Sequence, residues 1–450
     1  MSNTSFFPIR FRNTAAKCVL LGVGFSCLAL DGDSFAQTEA ATVRAVPDDA
    51  TTAFELPPVV RTVDLLEPQL MQGPYHRVRE LAATDGYLAQ VVIDSDYGIF
   101  ICSSAAQARQ RITEIYAIQK LIEVSKSDLF AEGLKRSVAQ PVAAVKNIIK
   151  NPSAAVKEVP HSVGHFFKRL GRTIENAAES AQTKMAESKQ SDQPPVERLK
   201  DAGKTMGEAA KNALGYDQAK LECAHQLQVD PYSDNSRLQE EMDKVTWAFF
   251  GGGLPLKIGM ATATGGVSTA VSATEFVGLP DEVYRMDSGE LELRNFEALK
   301  AMRVPAEVIR HFSTNTILTP TLRQSLLRSL QALPPVQGRV SIVALAATCT
   351  TLGQAEFLDR SLQLLAVRQA AGKARCTELL VAGNLPGARE HGGPYVVPAP
   401  VDYISWTESV ADFAQRDDLT SRQPTLLLTG GITDKAMAGF TRAGWSIVRP

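Results

Sequence analysis

The sequence contains none of the short motifs that usually mark a catalytic or cofactor site. It has no C-x-x-C pair, so neither a redox dithiol nor a structural zinc knuckle is indicated. It also lacks H-E-x-x-H, a Walker A loop, G-x-S-x-G and paired G-x-G-x-x-G, the signatures of zinc peptidases, P-loop NTPases, nucleophile-elbow hydrolases and dinucleotide-binding enzymes. We therefore expect no cofactor, and the lack of a catalytic motif favours a non-enzymatic protein.

Histidine is scarce, with six in the chain, and two of them lie four residues apart. His161 and His165 would share a helix face with Glu158, a spacing that can bind a metal. Pro160 interrupts that helix and three cations follow it closely. We interpret the pair as solvated histidines on a basic face.

Three other partial motifs have simpler structural interpretations. Asp94, Asp96 and Gly98 begin like a calcium loop without its closing glutamate, and a hairpin turn accounts for them. Residues 265–270 are an incomplete nucleophile elbow, which favours a segment of small residues. Residues 429–433 (TGGIT) join a strand to a helix start, where free amides could hold a phosphate, but a tight turn is the simpler prediction.

The N-terminal end has the order of a secretory signal peptide. Three basic residues precede a 13-residue apolar run over 18–30 and a small-x-small triplet at 34–36. That run is about 20 Å long as a helix, too short for the hydrocarbon core of about 30 Å. An uncleaved anchor or a lipoprotein acylated at Cys27 are the alternatives. We predict cleavage after Ala36 and an exported protein that is periplasmic, in the cell envelope or secreted.

Cleavage would leave four cysteines, Cys102, Cys223, Cys349 and Cys376. An exported protein can keep disulfides, and four cysteines allow three pairings. Buried free thiols are the equal alternative, because free cysteine is among the most buried residue types.

Charge is strongly segregated although the chain as a whole carries only −2. Residues 134–174 contain eight basic residues and one acid, Glu158, which makes +7. The signal peptide carries +1, so the rest of the mature chain carries −10. Two Pro-x-Ala-Ala-Val-Lys repeats, at 141–146 and 152–157, begin short helices in this segment. An apolar stripe follows at helical spacing, formed by Val156, Val159, Val163, Phe166, Leu170 and Ile174.

The basic segment 134–174 is the candidate binding element. Cationic amphipathic helices suit an anionic membrane surface, and an acidic protein is the other partner such a face would attract. An ordinary surface helix packed on the acidic remainder of the chain is the alternative. Nucleic acid is not expected as a partner of an exported protein. The residues predicted to contact an anionic surface are Lys146, Lys150, Lys157, Lys168, Arg169 and Arg172.

The predicted fold class is multidomain α+β. A small hairpin-plus-helix module comes first, then a helical basic middle, and a C-terminal α/β domain ends in a strand–helix–strand unit. Thr319-Pro320 predicts a helix start, and Ser104 with Gln107 predicts a capping box. The predicted segments are a signal peptide at 1–36, a flexible leader at 37–70, an α+β module at 71–131, a basic amphipathic helical segment at 132–236 with a linker near 182–195, a mainly helical region at 237–336 and an α/β domain at 337–450.

Two functional hypotheses follow. In the first, the chain is a non-enzymatic binding or scaffold protein of the envelope that acts through its basic segment. In the second, it is an exported hydrolase with its site in the C-terminal α/β domain, an idea that rests on fold analogy alone.

Overall fold

The computed structural model describes residues 53–139, 215–258, 280–373, 375–393, 395–420 and 423–450. All of them belong to one compact unit, Thr51–Pro450. An antiparallel sheet lies near the start of this unit and a mixed sheet near its end, with helices between them. This arrangement confirms the predicted α+β fold class. The predicted signal peptide and nearly all of the basic segment lie outside the described residues.

Residues 53–139 include six short strands, which are β1 (Val59–Arg61), β2 (Gln72–Gly73), β3 (His76–Val78), β4 (Leu81–Thr84), β5 (Ala89–Ser95) and β6 (Gly98–Cys102). They form the N-terminal sheet in the order β1-β4-β5-β3-β2, with β6 paired to β5. The predicted hairpin is confirmed, because Ser95 pairs with Gly98 across a tight antiparallel turn.

The predicted flexible leader is too long at its C-terminal end. Val59 pairs with Ala83, so β1 is a strand of the sheet, and two 3-10 turns, Thr62–Asp64 and Pro68–Leu70, follow it. Leu66 and Leu70 are buried in the module's core. The prolines and acids of this stretch gave no periodic pattern, and its order comes from contacts with later strands.

Two helices follow the sheet, α1 (Ala105–Ser125) and α2 (Asp128–Ala139). Ser104 caps α1 by accepting from the amide of Gln107, as predicted. In a standard capping box the Gln107 side chain would accept from the amide of the N-cap residue, Ser104. Here Gln107 Oε1 accepts instead from the amide of Ser103, at 2.7 Å. One face of α1 covers the sheet with Ile112 and Ile115, and Ile118 and Leu121 extend into a second core shared with the next helices.

The next described residues, 215–227, are helical, and they are followed by α3 (Ser236–Gly251), which is capped by Asn235. Helices α2 and α3 cross at a contact of small residues. A Cβ on Gly252 would lie 2.6 Å from the Cα of Gly133. A Cβ on Gly133 would lie 2.5 Å from the carbonyl oxygen of Ala248. Glycine is therefore required on both sides for the helices to approach so closely.

Residues 280–373 form six helices, and four of them lie in the region predicted to be mainly helical at 237–336. The predicted start at Thr319-Pro320 is confirmed, because Thr319 accepts from the amide of Leu322 and Pro320 occupies the first turn. These helices are α4 (Glu282–Arg285), α5 (Ser288–Ala301), α6 (Ala306–Thr314), α7 (Pro320–Ala332), α8 (Arg339–Ala347) and α9 (Leu352–Ala370).

The elements of the C-terminal sheet region are β7 (Cys376–Ala382), β8 (Leu385–Glu390), β9 (Tyr395–Ala399), β10 (Tyr403–Ile404), α10 (Glu408–Ala414), α11 (Asp417–Thr420), β11 (Thr425–Leu428), β12 (Gly431–Ile432), α12 (Asp434–Arg442) and β13 (Ser446–Val448). The sheet has the order β13-β11-β9-β8-β7. Strands β9, β11 and β13 are parallel, which confirms the predicted terminal strand–helix–strand unit. The two residues of β10 pair separately with β12.

One hydrophobic core joins the helices before residue 336 to the sheet after it. Leu299 and Leu326 pack in the same cluster as Val396 and Leu427. The boundary predicted at 336–337 therefore passes through a shared core. None of the helices in the described ranges combines the length and apolar character needed to cross a membrane.

Candidate functional site

A narrow crevice lies beyond the carboxyl end of β9, where ligand sites of α/β sheets commonly occur. Its polar walls are Ser103 and Ser104 at the start of α1, and Glu356 and Arg360 on α9. The cavity measures about 10 Å³, which is room for about one water molecule. The crevice is therefore a junction between the N-terminal module and the later helices, and it is too small for an organic substrate in this conformation.

Both serines of the crevice are engaged in capping α1. Ser104 Oγ accepts from the Gln107 amide at 3.1 Å and from Arg360 Nη1 at 3.2 Å. Ser103 Oγ donates to Gln107 Oε1 at 3.1 Å. A nucleophilic serine needs a neighbouring general base, and these partners are an amide and a guanidinium. The contacts support a structural role for both hydroxyl groups.

Asp402 is the central anion of this junction. Its Oδ2 accepts from the amide of Ala89 at 2.9 Å and from the amide of Ala105 at 3.0 Å. Ala105 is the first residue of α1, so the carboxylate lies at the positive end of the helix dipole. Burial raises the pKa of Asp402, and the two amide hydrogen bonds act in the opposite direction. One side chain thus joins the C-terminal sheet to both β5 and α1.

Glu356 and Arg360 form the α9 side of the crevice. Arg360 Nη2 lies 3.6 Å from Glu356 Oε2, one helical turn away. Burial raises the pKa of Glu356, while the charge of Arg360 lowers it. The charges of Asp234, Arg111 and Glu114 also reach Glu356, so this wall of the crevice continues into a larger ionic cluster.

A second carboxylate, that of Glu55 near the start of the described residues, also contacts the C-terminal part of the chain at this junction. Glu55 Oε2 accepts from the amide of Trp406 and from Thr433 Oγ1 at 2.7 Å. The amide of Ser405 donates to the carbonyl of Gly86 at 2.9 Å. Glu55, before β1, and Gly86, in the loop between β4 and β5, therefore hold the 402–406 segment in place.

Residues 429–433 were predicted to form a tight turn, but they include the short strand β12, which pairs in parallel with β10. The amide of Gly431 donates to the Asp402 carbonyl and that of Thr433 to the Ile404 carbonyl, each at 2.9 Å. A Cβ on Gly430 would overlap the carbonyl oxygens of Val401 and Asp402. These contacts leave the amides of Gly431 and Thr433 directed at protein rather than at a bound anion.

A larger groove of about 650 Å³ lies beside α3, lined mainly by apolar side chains that include Phe249, Phe250 and Leu256. Gln226 spans one side of it, donating to the Leu256 carbonyl at 3.2 Å and accepting from the Ile258 amide at 2.8 Å. Gln226 thus holds residues 256–258 against the helix at 215–227.

The six predicted surface-binding residues, Lys146, Lys150, Lys157, Lys168, Arg169 and Arg172, lie outside the described residues, as do His161, His165 and residues 265–270. The structure does describe the first part of the basic segment, in α2. Lys135 and Arg136 are exposed there, while Gly133 and Ser137 are buried against α3. The segment therefore starts as a helix packed on the unit with its cations outward.

The four cysteines expected in the mature chain are all free thiols, three of them buried and Cys349 partly so. Of the two alternatives, the structure thus has free thiols. Burial raises the pKa of Cys102 and of Cys223 to about 12, which suppresses the reactive thiolate. Within the described ranges, no group of three or more histidine, cysteine or acidic side chains is placed to hold a metal ion.

No protein-family model, curated protein or solved structure matches this chain. Function must therefore be argued from its own residues. Sequence reasoning missed Asp402, Glu356 and Arg360, because the partners of Asp402 are 297 and 313 residues away in the chain. No local pattern could have connected them.

Proposed function

We propose that this chain is an exported, non-enzymatic binding protein of the cell envelope. Its described unit would serve as a platform, and its basic segment 134–174 would dock on an anionic membrane surface. The observation that carries the proposal is charge segregation, with +7 in this segment of a chain whose total is −2. The export signal and the cationic segment act together in this proposal, because they place the segment where envelope lipids are accessible.

The platform role is supported by the contacts at the base of the segment. Gly133 and Ser137 of α2 pack against Gly252 and Gly251, so the segment begins from a fixed point. Lys135 and Arg136 face outward there. A fixed origin favours binding, because less of the chain must be ordered when the segment docks.

Two attractive terms would act on the remainder of the segment. The apolar stripe includes Phe166 and Leu170, and each such side chain contributes about 1.5–3 kcal/mol when fully buried. Each basic residue near an anionic surface adds about 1 kcal/mol, and this term weakens with salt. Reversible membrane association usually needs such a combination.

The hydrolase hypothesis gains no comparable support from the crevice. Its volume of about 10 Å³ fits one water, and the two serines cap α1. We therefore retain binding as the proposed function.

The test is co-sedimentation with vesicles of anionic or neutral lipid at low and high salt. The variant changes Lys168, Arg169 and Arg172 together to Glu. The matched control makes the same change at the exposed Arg310, Arg328 and Lys373. We expect the control to bind anionic vesicles like the wild type. The variant should lose about 100-fold or more in affinity, since three favourable contacts of about 1 kcal/mol become repulsive.

High salt should release the wild type from anionic vesicles, and neutral vesicles should not retain it. Equal recovery of the wild type and the Lys168–Arg169–Arg172 variant with anionic vesicles would refute the proposal. The packed surface helix would then be the better description of the segment.

A further inference from the structure

Helix α7 holds two buried aspartates by hydroxyl groups one turn apart. Thr321 Oγ1 donates to Asp230 at 2.6 Å, and Ser325 Oγ donates to Asp359 at 3.0 Å. Asp230 belongs to the loop before α3, and Asp359 belongs to α9. One face of α7 is therefore the meeting point of two other parts of the chain, and each contact ends on a carboxyl group.

Asp230 is 8% exposed and is held without a cation. Its Oδ1 also accepts from the Tyr232 amide at 2.8 Å. No lysine or arginine nitrogen in the described part of the chain forms a salt bridge with it. The neighbouring charges are the carboxylates of Glu114 and Asp234. Burial raises the pKa of Asp230 to about 6; the hydrogen bonds from Thr321 and Tyr232 oppose this rise, and the like charges add to it.

Asp359 is 6% exposed and has a similar environment. Its Oδ2 accepts from Ser325 and from Gln363 Nε2, the latter at 2.9 Å. Its Oδ1 is buried without a hydrogen-bond partner, which costs more for a charged carboxylate than for a neutral carboxyl group. The neighbouring Arg360 is directed to Glu356 at 3.6 Å. Burial raises the pKa of Asp359 to about 7; the hydrogen bonds from Ser325 and Gln363 and the charge of Arg360 oppose the rise, and Glu356 adds to it.

We propose that these two contacts are a proton-operated joint, in which Asp230 and Asp359 take up protons between neutral and mildly acidic pH and thereby tighten the 229–235 loop and α9 on α7. Protonation removes two buried negative charges that have no salt-bridge partner among the described residues, and each carboxyl group keeps an oxygen that can accept from its hydroxyl group. The joint is independent of the proposed membrane binding, since it rests only on described residues.

The sign of the effect follows from linkage. Both aspartates have native pKa values above their ordinary value, so the native state binds more protons than the unfolded chain. The stability they contribute is fully present below about pH 4 and is lost as pH rises through about 6 for Asp230 and about 7 for Asp359. Within that window each aspartate should raise the unfolding constant by up to about tenfold per pH unit.

The test compares urea unfolding of the full chain from pH 5 to pH 8 for the wild type and the Asp230→Asn, Asp359→Asn and double variants. Asparagine imitates the protonated carboxyl group and can still accept from the same hydroxyl. The matched control is Asp412→Asn, which makes the same change at an exposed position on α10. We expect the wild type and the control to lose stability with rising pH in parallel, and the double variant to lose much less.

A double variant with the same pH slope as the wild type would overturn the proposal. If the asparagine variants do not fold, the wild type can be tested alone by infrared spectroscopy. Asp217, Glu356 and Asp402 also have raised pKa values, so the carboxylic acid band expected at pH 5.5 includes any proton that they hold, and this band must shrink by pH 8. Absence of any such band at pH 5.5 would equally overturn the joint.

Discussion

Replacing Asp402 with alanine should be among the most destabilising single changes in the described unit. The carboxylate accepts from the amides of Ala89 and Ala105 at 2.9 and 3.0 Å. Both residues are buried, at 0% and 2% exposure. Each buried amide that loses its acceptor costs about 1–3 kcal/mol, so the variant should lose about 2–6 kcal/mol of unfolding free energy. One water entering the crevice would bring the loss toward the lower value.

Asp85 provides a matched control, because its carboxylate also accepts from two backbone amides. Those amides belong to Tyr87 and Leu88 in the same turn, at 3.0 and 2.7 Å. Asp85 is exposed, so water replaces the lost acceptor and Asp85→Ala should cost less than about 1 kcal/mol. Asp402→Asn should fall between the two alanine variants, since its side-chain oxygen still accepts.

The assay is urea unfolding followed by tryptophan fluorescence. Trp406 and Trp445 are suitable reporters, since both are buried in the C-terminal core. The reasoning about Asp402 would be refuted if its alanine variant were no less stable than Asp85→Ala. That result would mean that the two amides find other partners at little cost.

Two further predictions concern the helix crossing and the export signal. Gly252→Ala should lower the free energy of unfolding by about 1–3 kcal/mol through overpacking, because the added Cβ would lie 2.6 Å from the Cα of Gly133. The control, Gly353→Ala in the first turn of α9, should be neutral or stabilising. Equal thermal unfolding midpoints for the two variants would contradict the close crossing of α2 and α3. The exported protein should begin near Gln37, and an intact mass that matches residues 1–450 would show that no signal peptide is removed.

The features that the sequence predicted correctly are those decided by neighbouring residues. The 94–97 hairpin and the starts of α1 and α7 follow from a turn or a cap that acts within about four residues. Thr319 and Ser104 accept from amides three residues later, as such caps do. The terminal strand–helix–strand unit was also predictable, because its strand at 425–428 contains three consecutive leucines at 426–428.

Strand β8 shows why other elements were missed. Its sequence, LPGARE, contains a proline and a glycine that usually indicate a turn. Pro386 pairs only with Val381 of β7, outside the residues of β8 that also pair with β9. A Cβ on Gly387 would overlap the ring of Tyr395. Contacts with β7 and Tyr395 thus explain how β8 accommodates Pro386 and Gly387, which would favour a turn if only the neighbouring sequence were considered.

The candidate site could not be predicted from the sequence either, because its contacts also join residues that are far apart in the chain. Glu114 is 1% exposed and accepts from Arg111 at 2.6 Å within its own helix. It also accepts from Ser233 and Asn235, 119 and 121 residues later in the chain. Only the folded chain shows that these groups form one buried network. The basic segment, by contrast, is visible in the sequence because charge segregation needs no tertiary information.

The most direct test of the central claim is fractionation of cells that express the full chain. The envelope pellet is collected at low salt and then washed with high salt, and both fractions are probed for the protein. We expect the mature protein in the pellet at low salt and its release by the salt wash, because the attraction is electrostatic and screened. Recovery of the mature protein in the soluble fraction at low salt, or its retention in the pellet after the high-salt wash, would contradict docking through the basic segment 134–174.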